Sequence, residues 1–257
     1  MKPNDDAVIE VGDFAKNYGD FAAVRELSFT VRPGEIVGLV GANGAGKTTT
    51  LRAITGILRP TRGTIRVGGC DLEQDPVAAK QQFAYIPDTV HPYDLLTVTE
   101  HLHFIALAYR IKDAESKYAA LLEELGLADK ADQIASSLSR GMTQKLALAC
   151  AFLREPRVVI LDEPLTGLDP RGIRNIKESI RRRAADGMAF LLSSHLLHLV
   201  EALCDQVLIL HRGRKMAFGS LEEIRSLATL HADASLEGVF FAVTENSGDP
   251  AALAAVA

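Results

Sequence analysis

Gly41-Ala42-Asn43-Gly44-Ala45-Gly46-Lys47-Thr48 has the spacing GxxxxGK[ST]. In such a loop the glycines let backbone N–H groups converge on phosphate oxygens, the lysine meets the outer phosphates and the hydroxyl holds Mg²⁺. Gly41, Asn43, Gly44, Ala45, Gly46, Lys47 and Thr48, with Thr49 behind them, are therefore candidates to bind a nucleotide, Thr48 also as a metal ligand. Further on, Val158-Val159-Ile160-Leu161-Asp162-Glu163 is an apolar run ending in two acids. Such a strand brings carboxylates to the edge of a sheet where α/β proteins bind ligands. Asp162 suits Mg²⁺, and Glu163 could polarise an attacking water as general base. Between these motifs stands Leu138-Ser139-Arg140-Gly141-Met142-Thr143-Gln144. Ser139 can cap the helix that follows, whose Leu146, Cys150 and Leu153 form an inward face. The start of that helix, with the Ser139 hydroxyl and the Gly141 N–H, makes a second anion site. It lies on a different segment from the phosphate loop and does not easily fold back on it. Donation to the nucleotide of a second chain, in a head-to-tail dimer, resolves this.

The elements that must carry these groups follow from periodicity. Ile36–Val40 reads as a buried strand leading into the glycine loop, and Leu51, Ile54 and Leu58 keep helical spacing after it. Before and after that unit, Val8–Val11, Leu27–Val31 and Thr64–Val67 are short strand-like segments beside turns such as Pro33-Gly34 and Gly68-Gly69, suggesting an antiparallel layer. From Thr97 to Leu153 the chain reads almost wholly as helix, with Leu102, Ile105 and Tyr109 on one face and Leu121, Leu122 and Leu125 on another. Strand-like runs return at Val158–Leu161, Ala189–Ser193 and Val207–Leu210, with helices between them. Alternation of this kind predicts a mainly parallel sheet covered by helices. Lys177 and Arg181-Arg182-Arg183, flanked by Glu178 and Asp186, read as a solvated helix face. The tail from Ser247 to Ala257 is expected to fray.

With 257 residues and 47% hydrophobic content, the chain can bury a sizeable core as one large α/β unit or two small ones. Twenty-eight basic against 33 acidic side chains leave a net charge of −5, which argues against a broad nucleic-acid footprint. Three widely spaced cysteines fit neither a disulfide framework nor a zinc site and point to a reducing compartment. An acidic amino terminus and the lack of a long apolar run predict neither secretion nor a membrane span.

Taken together, the glycine loop, Leu138-Ser139-x-Gly141, Asp162-Glu163, and Ser194-His195 after a strand resemble the ATP-binding subunit of ABC transporters, over about Val8 to Ser220. The resemblance implies an α/β fold: a P-loop NTPase core of RecA-like type, an N-terminal antiparallel β subdomain and an inserted α-helical subdomain. It implies an ATPase domain over residues 1–230, with the helical subdomain at about 89–155, and a short C-terminal extension over 231–257. It further implies ATP and Mg²⁺ as ligands and Lys47, Glu163 and His195 as the catalytic group, with His195 reaching the γ-phosphate. Tyr18 takes the place of the aromatic residue that stacks on adenine, although a lone tyrosine near a strand is otherwise often just packing. Asp169, in Thr166-Gly167-Leu168-Asp169, falls in the loop that couples two sites, or is a turn residue before Pro170. The same resemblance implies a second ATPase subunit, identical or different, and a separate membrane-spanning permease, which would hold the chain at the cytoplasmic face of the membrane.

The chain departs from the family pattern at two places. Tyr85-Ile86-Pro87-Asp88 puts an acid where the family has a glutamine that senses γ-phosphate and metal, so water-mediated contact of Asp88 with Mg²⁺ is expected. Arg140 and Met142 replace two glycines of the signature segment. Leu236 to Thr244 resembles the C-terminal segment of the ABC-2 exporter branch, with Gly238 replacing its usual acid; the same residues also fit an amphipathic helix packed on the core, through Leu236, Val239, Phe240 and Val243. Tyr85 to Tyr109 resembles the Ecs-type ATPases. A soluble ABC ATPase outside transport is the alternative reading. A GTPase is disfavoured by the absence of an Asn-Lys-x-Asp motif.

Overall fold

The computed structural model describes residues 7–227 and 234–245; the expected fraying beyond Ser247 lies outside them. The chain opens with the hairpin β1 (Ile9–Tyr18) and β2 (Phe21–Val31), followed by β3 (Ile36–Val40) and α1 (Lys47–Ile54). It continues through β4 (Arg62–Val67), β5 (Cys70–Asp71), α2 (Pro76–Gln82) and β6 (Phe83–Ile86). A helical segment follows, α3 (Val98–Tyr109), α4 (Glu115–Leu125) and α5 (Arg140–Leu153). The chain then alternates through β7 (Val158–Asp162), α6 (Pro170–Ala185), β8 (Ala189–Ser193), α7 (Leu197–Glu201), β9 (Gln206–His211) and β10 (Arg214–Gly219), and closes with α8 (Leu221–Leu227) and α9 (Leu236–Glu245).

The strands form two sheets. One is antiparallel, in the order β2-β1-β4-β5; the other runs β10-β9-β3-β8-β7-β6 and is parallel except for the edge hairpin β9–β10. The strands β3, β7 and β8 are buried at every residue. Strands covered on both faces need apolar side chains pointing both ways, which is why they read as continuous hydrophobic runs. Alternate residues feed two cores: Val37, Leu39, Ile160 and Leu191 face α1 and the antiparallel sheet, while Val40, Leu161 and Leu192 face the helical side. This is the α/β P-loop arrangement the motifs imply, with its antiparallel layer and helical insert.

Several elements differ from the sequence pattern for identifiable reasons. The antiparallel strands are longer than the segments the alternation picks out, because register shifts between Val11 and Asn17 break the period of two. The helix α1 stops at Ile54 and the chain turns through Thr55 and Gly56, so Leu58 lies outside it. The helical stretch is interrupted by the loop 126–139, which holds two single 3-10 turns. Within α3, Leu102 is buried, but Tyr109 is half-exposed under the Arg154 guanidinium, 3.7 Å from its ring centroid. The basic run on α6 is not simply solvated: Arg183 and Arg182 pair with Glu124 of α4, and Arg183 lies 3.9 Å from the centroid of Phe152. In α9, Leu236 and Val239 are fully buried, with Phe240 and Val243 packed beside them.

Candidate active site

The loop between β3 and α1 wraps a cradle whose shape depends on Gly46. Its φ of +107° is closed to other residues, and a β-carbon there would stand 3.0 Å from both the Ala23 carbonyl oxygen and Val24 Cγ2. The chain leaves this glycine directly into α1, so the positive end of the helix faces the cradle. Lys47, almost fully buried, donates from Nζ to the carbonyl oxygens of Gly41 at 2.7 Å and Ala42 at 3.3 Å. Burial lowers its pKa, and the nearby charges of Glu163 and Asp162 work against that shift.

Asp162 ends β7 in register with Ser193 at the end of β8. The Ser193 hydroxyl donates to Asp162 Oδ1 at 2.5 Å and accepts from the Glu163 N–H at 3.2 Å. Burial is the main reason that the Asp162 pKa rises; the Ser193 hydrogen bond and the neighbouring Thr48 hydroxyl oppose the rise, and Glu163 and Asp88 add to it. Glu163 adopts φ +52°, a left-handed conformation rare for this residue type, which turns its side chain out of the strand direction. The Glu163 carboxylate meets His195 Nδ1 at 2.9 Å and the His195 backbone N–H at 3.4 Å. The two acids and the histidine, separated in sequence, thus meet at the carboxyl edge of adjacent parallel strands.

These groups line a cleft of about 520 Å³ together with Asn43, Gly44, Gly46, Thr48 and Thr49. Gly41 and Ala45 shape the loop from behind, where they are buried. Tyr18 and Phe21 form the opposite wall; they face each other across the β1–β2 turn and are 51% and 66% exposed, which leaves both rings available for stacking. Phe21 carries no motif, but its place beyond the Gly19-Asp20 turn from Tyr18 is the signal that could have found it. Ser193 is likewise outside any motif; its strand-end position opposite Asp162 is what matters.

Asp88 and Arg140 complete the cleft, joined by an ion pair of 2.9 Å from Arg140 Nη2 to Asp88 Oδ1. The acid is thus engaged by a cation from the signature segment rather than standing alone beside the metal position. That segment does reach toward its own chain's cleft, through Arg140, contrary to its expected separation. Ser139 and Gly141 are not part of the cleft wall. Ser139 caps α5, accepting from the Met142 N–H at 3.3 Å. Gly141 lies so close to the loop after β7 that a β-carbon would be 3.2 Å from both the Gly167 carbonyl oxygen and Leu168 Cδ2. Asp169 also lies outside the cleft and caps α6, accepting from the Gly172 N–H at 3.2 Å.

Among the described residues no cluster of three or more His, Cys, Asp and Glu side chains forms a metal site. Mg²⁺ does not need one, since it commonly takes one or two protein oxygens and completes its shell with substrate phosphates and water. The adjoining Thr48 hydroxyl and Asp162 carboxylate are such oxygens. No helix among the described residues is long and apolar enough to cross a membrane.

A phosphate cradle, strand-end acids and a helical insert on this sheet define a P-loop ATPase of the ABC type. The family model for ABC transporters matches residues 24–166, and the chain belongs to that family. It is 37% identical over 241 residues to the ABC-type transporter ATP-binding protein EcsA of Bacillus subtilis (strain 168), covering 93% of this chain and 97% of that one. It is 39% identical over 217 residues to the Nod factor export ATP-binding protein I of Paraburkholderia xenovorans (strain LB400), covering 84% of this chain and 71% of that one. A solved ATP-binding subunit of an ABC transporter superposes with a TM-score of 0.88 at 39% identity, covering 92% of this chain and 99% of that one. The chain is thus an ATP-binding subunit of an ABC transporter, and an ATPase.

Proposed function

We propose that two such subunits, identical or different, close head-to-tail around two ATP molecules and thereby drive a separate membrane-spanning permease, in an exporter. The observation that carries this reading is the division of the signature segment. Ser139 and Gly141, which flank Arg140 at the start of α5, take no part in their own chain's cleft wall, and a helix end of this kind suits an anion. A second chain's γ-phosphate is the partner that such an end fits.

In each site Lys47 and the first turn of α1 hold the β- and γ-phosphates, while Thr48 and Asp162 supply oxygens to Mg²⁺. An ion held by these two oxygens would supply charge neutralisation at the phosphates. Tyr18 stacks on the adenine. Glu163 accepts the proton of the attacking water, and His195 holds the Glu163 carboxylate in place and reaches toward the γ-phosphate. Phosphoryl transfer needs positioning and charge stabilisation more than covalent chemistry, so closure by a partner's Ser139 and Gly141 completes the site. Asp169, at the start of α6, would lie along the seam between the two chains. The export direction is supported by the named role of the Nod factor relative and by the likeness of Leu236 to Thr244 to the exporter branch. Docking of the permease against the helical insert would hold the chain at the cytoplasmic face of the membrane.

The Glu163→Gln variant tests the core of this reading. Turnover should fall by about a hundredfold or more, while ATP with Mg²⁺ should double the apparent mass in gel filtration. Retained hydrolysis would remove Glu163 from its role, and a monomeric elution with ATP bound would count against the head-to-tail pair.

A further inference from the structure

We propose that Arg140 is a positioning residue for Asp88, neutralising that acid and fixing its place so that the cleft accepts a nucleoside triphosphate. Arg140 occupies the first position of α5, where the helix dipole disfavours a cation. Its placement is explained by Asp88, 52 residues away in sequence and 2.9 Å away in space. The pair joins the loop leaving β6, where the helical insert begins, to the start of its last helix, α5. The Arg140 stem packs over Gly167, where the Cδ atom would be 3.4 Å from a β-carbon, which steers the guanidinium toward the cleft. Stability is a poor explanation for the pair. Its side chains are 59% and 50% exposed, and pairs this open contribute little to folding.

The electrostatics of the cleft supply the reason. Asp162 and Glu163 already face the phosphate cradle, with Lys47 as the cation inside it. Asp88 is close enough for its charge to help raise the pKa of Asp162 and of Tyr85. Left unpaired, it would be a third carboxylate turned toward a polyanion. Paired with Arg140, the same position is close to neutral, so the two departures from the family pattern compensate each other.

The test is equilibrium binding of ATP with Mg²⁺ to the purified full chain, by calorimetry. It concerns one chain and is independent of the proposed dimer and permease, so neither reading stands or falls with the other. Arg140→Ala should weaken binding roughly fivefold at low salt, the scale of an exposed charge pair, and less at high salt. Arg140→Lys should retain most of the affinity. Asp88→Asn added to Arg140→Ala should recover most of the loss. In turnover, the effect should lie in KM rather than kcat. Alanine is well suited to an exposed first helical turn, so the variant should melt like the parent, and circular dichroism would check this. An equal loss whether position 88 is Asp or Asn, or no loss at all, would overturn the proposal.

Discussion

The backbone at Glu163 departs from the strand at φ +52°, and that single turn separates the tasks of two successive acids. Asp162 stays in the sheet beside Ser193, while Glu163 swings to His195. Nothing in residue types alone reveals the swing, although the apolar run before the two acids does reveal where it must occur. The same limit shows at the proposed adenine wall, where resemblance pointed to Tyr18 and not to Phe21, because cross-strand neighbours become visible only once the hairpin register is known. Both rings are exposed, and base–aromatic stacking contributes about 1–3 kcal/mol per base. Tyr18→Ala with Phe21→Ala should therefore weaken ATP binding about fivefold or more, while leaving the affinity for inorganic triphosphate nearly unchanged. Equal losses for both ligands would show that the rings shape the loop instead of stacking.

At the scale of elements, α4 and α6 are held by a partly buried cluster in which Glu124 accepts from Arg183 at 2.5 and 3.1 Å and from the Ser179 hydroxyl. Burial pushes the Glu124 pKa up, but the hydrogen bonds from Arg183 and Ser179 and the charges of Arg183 and Arg182 outweigh it, and the net shift is downward. A carboxyl held below its unfolded value contributes stability above that value and loses it as the pH falls through the lowered one. Glu124→Gln should thus cost about 1–3 kcal/mol at neutral pH, and the gap to the parent should narrow toward acid pH in denaturant melts. A gap that stays constant with pH would mean that shape, not charge, joins the helices. This cluster was hidden in the sequence because a run of arginines ordinarily faces water, and the acid that recruits two of them lies on another helix. Strands β6 and β10 were also missed. The first has only four residues; the second is an edge strand reached through Arg212 and Gly213, both at positive φ, the hairpin turn that best matches strand twist. By contrast, β3, β7 and β8 were plain, since full burial leaves an unbroken apolar signature.

For the whole molecule, the glycine loop and the strand-end acids pointed to the sheet edge where the structure brings them together, and the long helical stretch predicted the insert. The pairing of Arg140 with Asp88 could not be read, since it depends on how the insert packs back on the core. If a second chain completes each site, ATP hydrolysis per chain should rise with chain concentration before levelling off. Specific activity that is flat across dilution would assign turnover to the single chain.

The hydroxyl of Ser193 touches the carboxylate of one acid and the backbone amide of the next, from the neighbouring rung of the parallel ladder. Two adjacent acids on a free loop could drift separately; here one hydroxyl makes their separation a property of the sheet. The spacing of the two acids is therefore built into the sheet, and what a nucleotide would have left to arrange lies across the cleft.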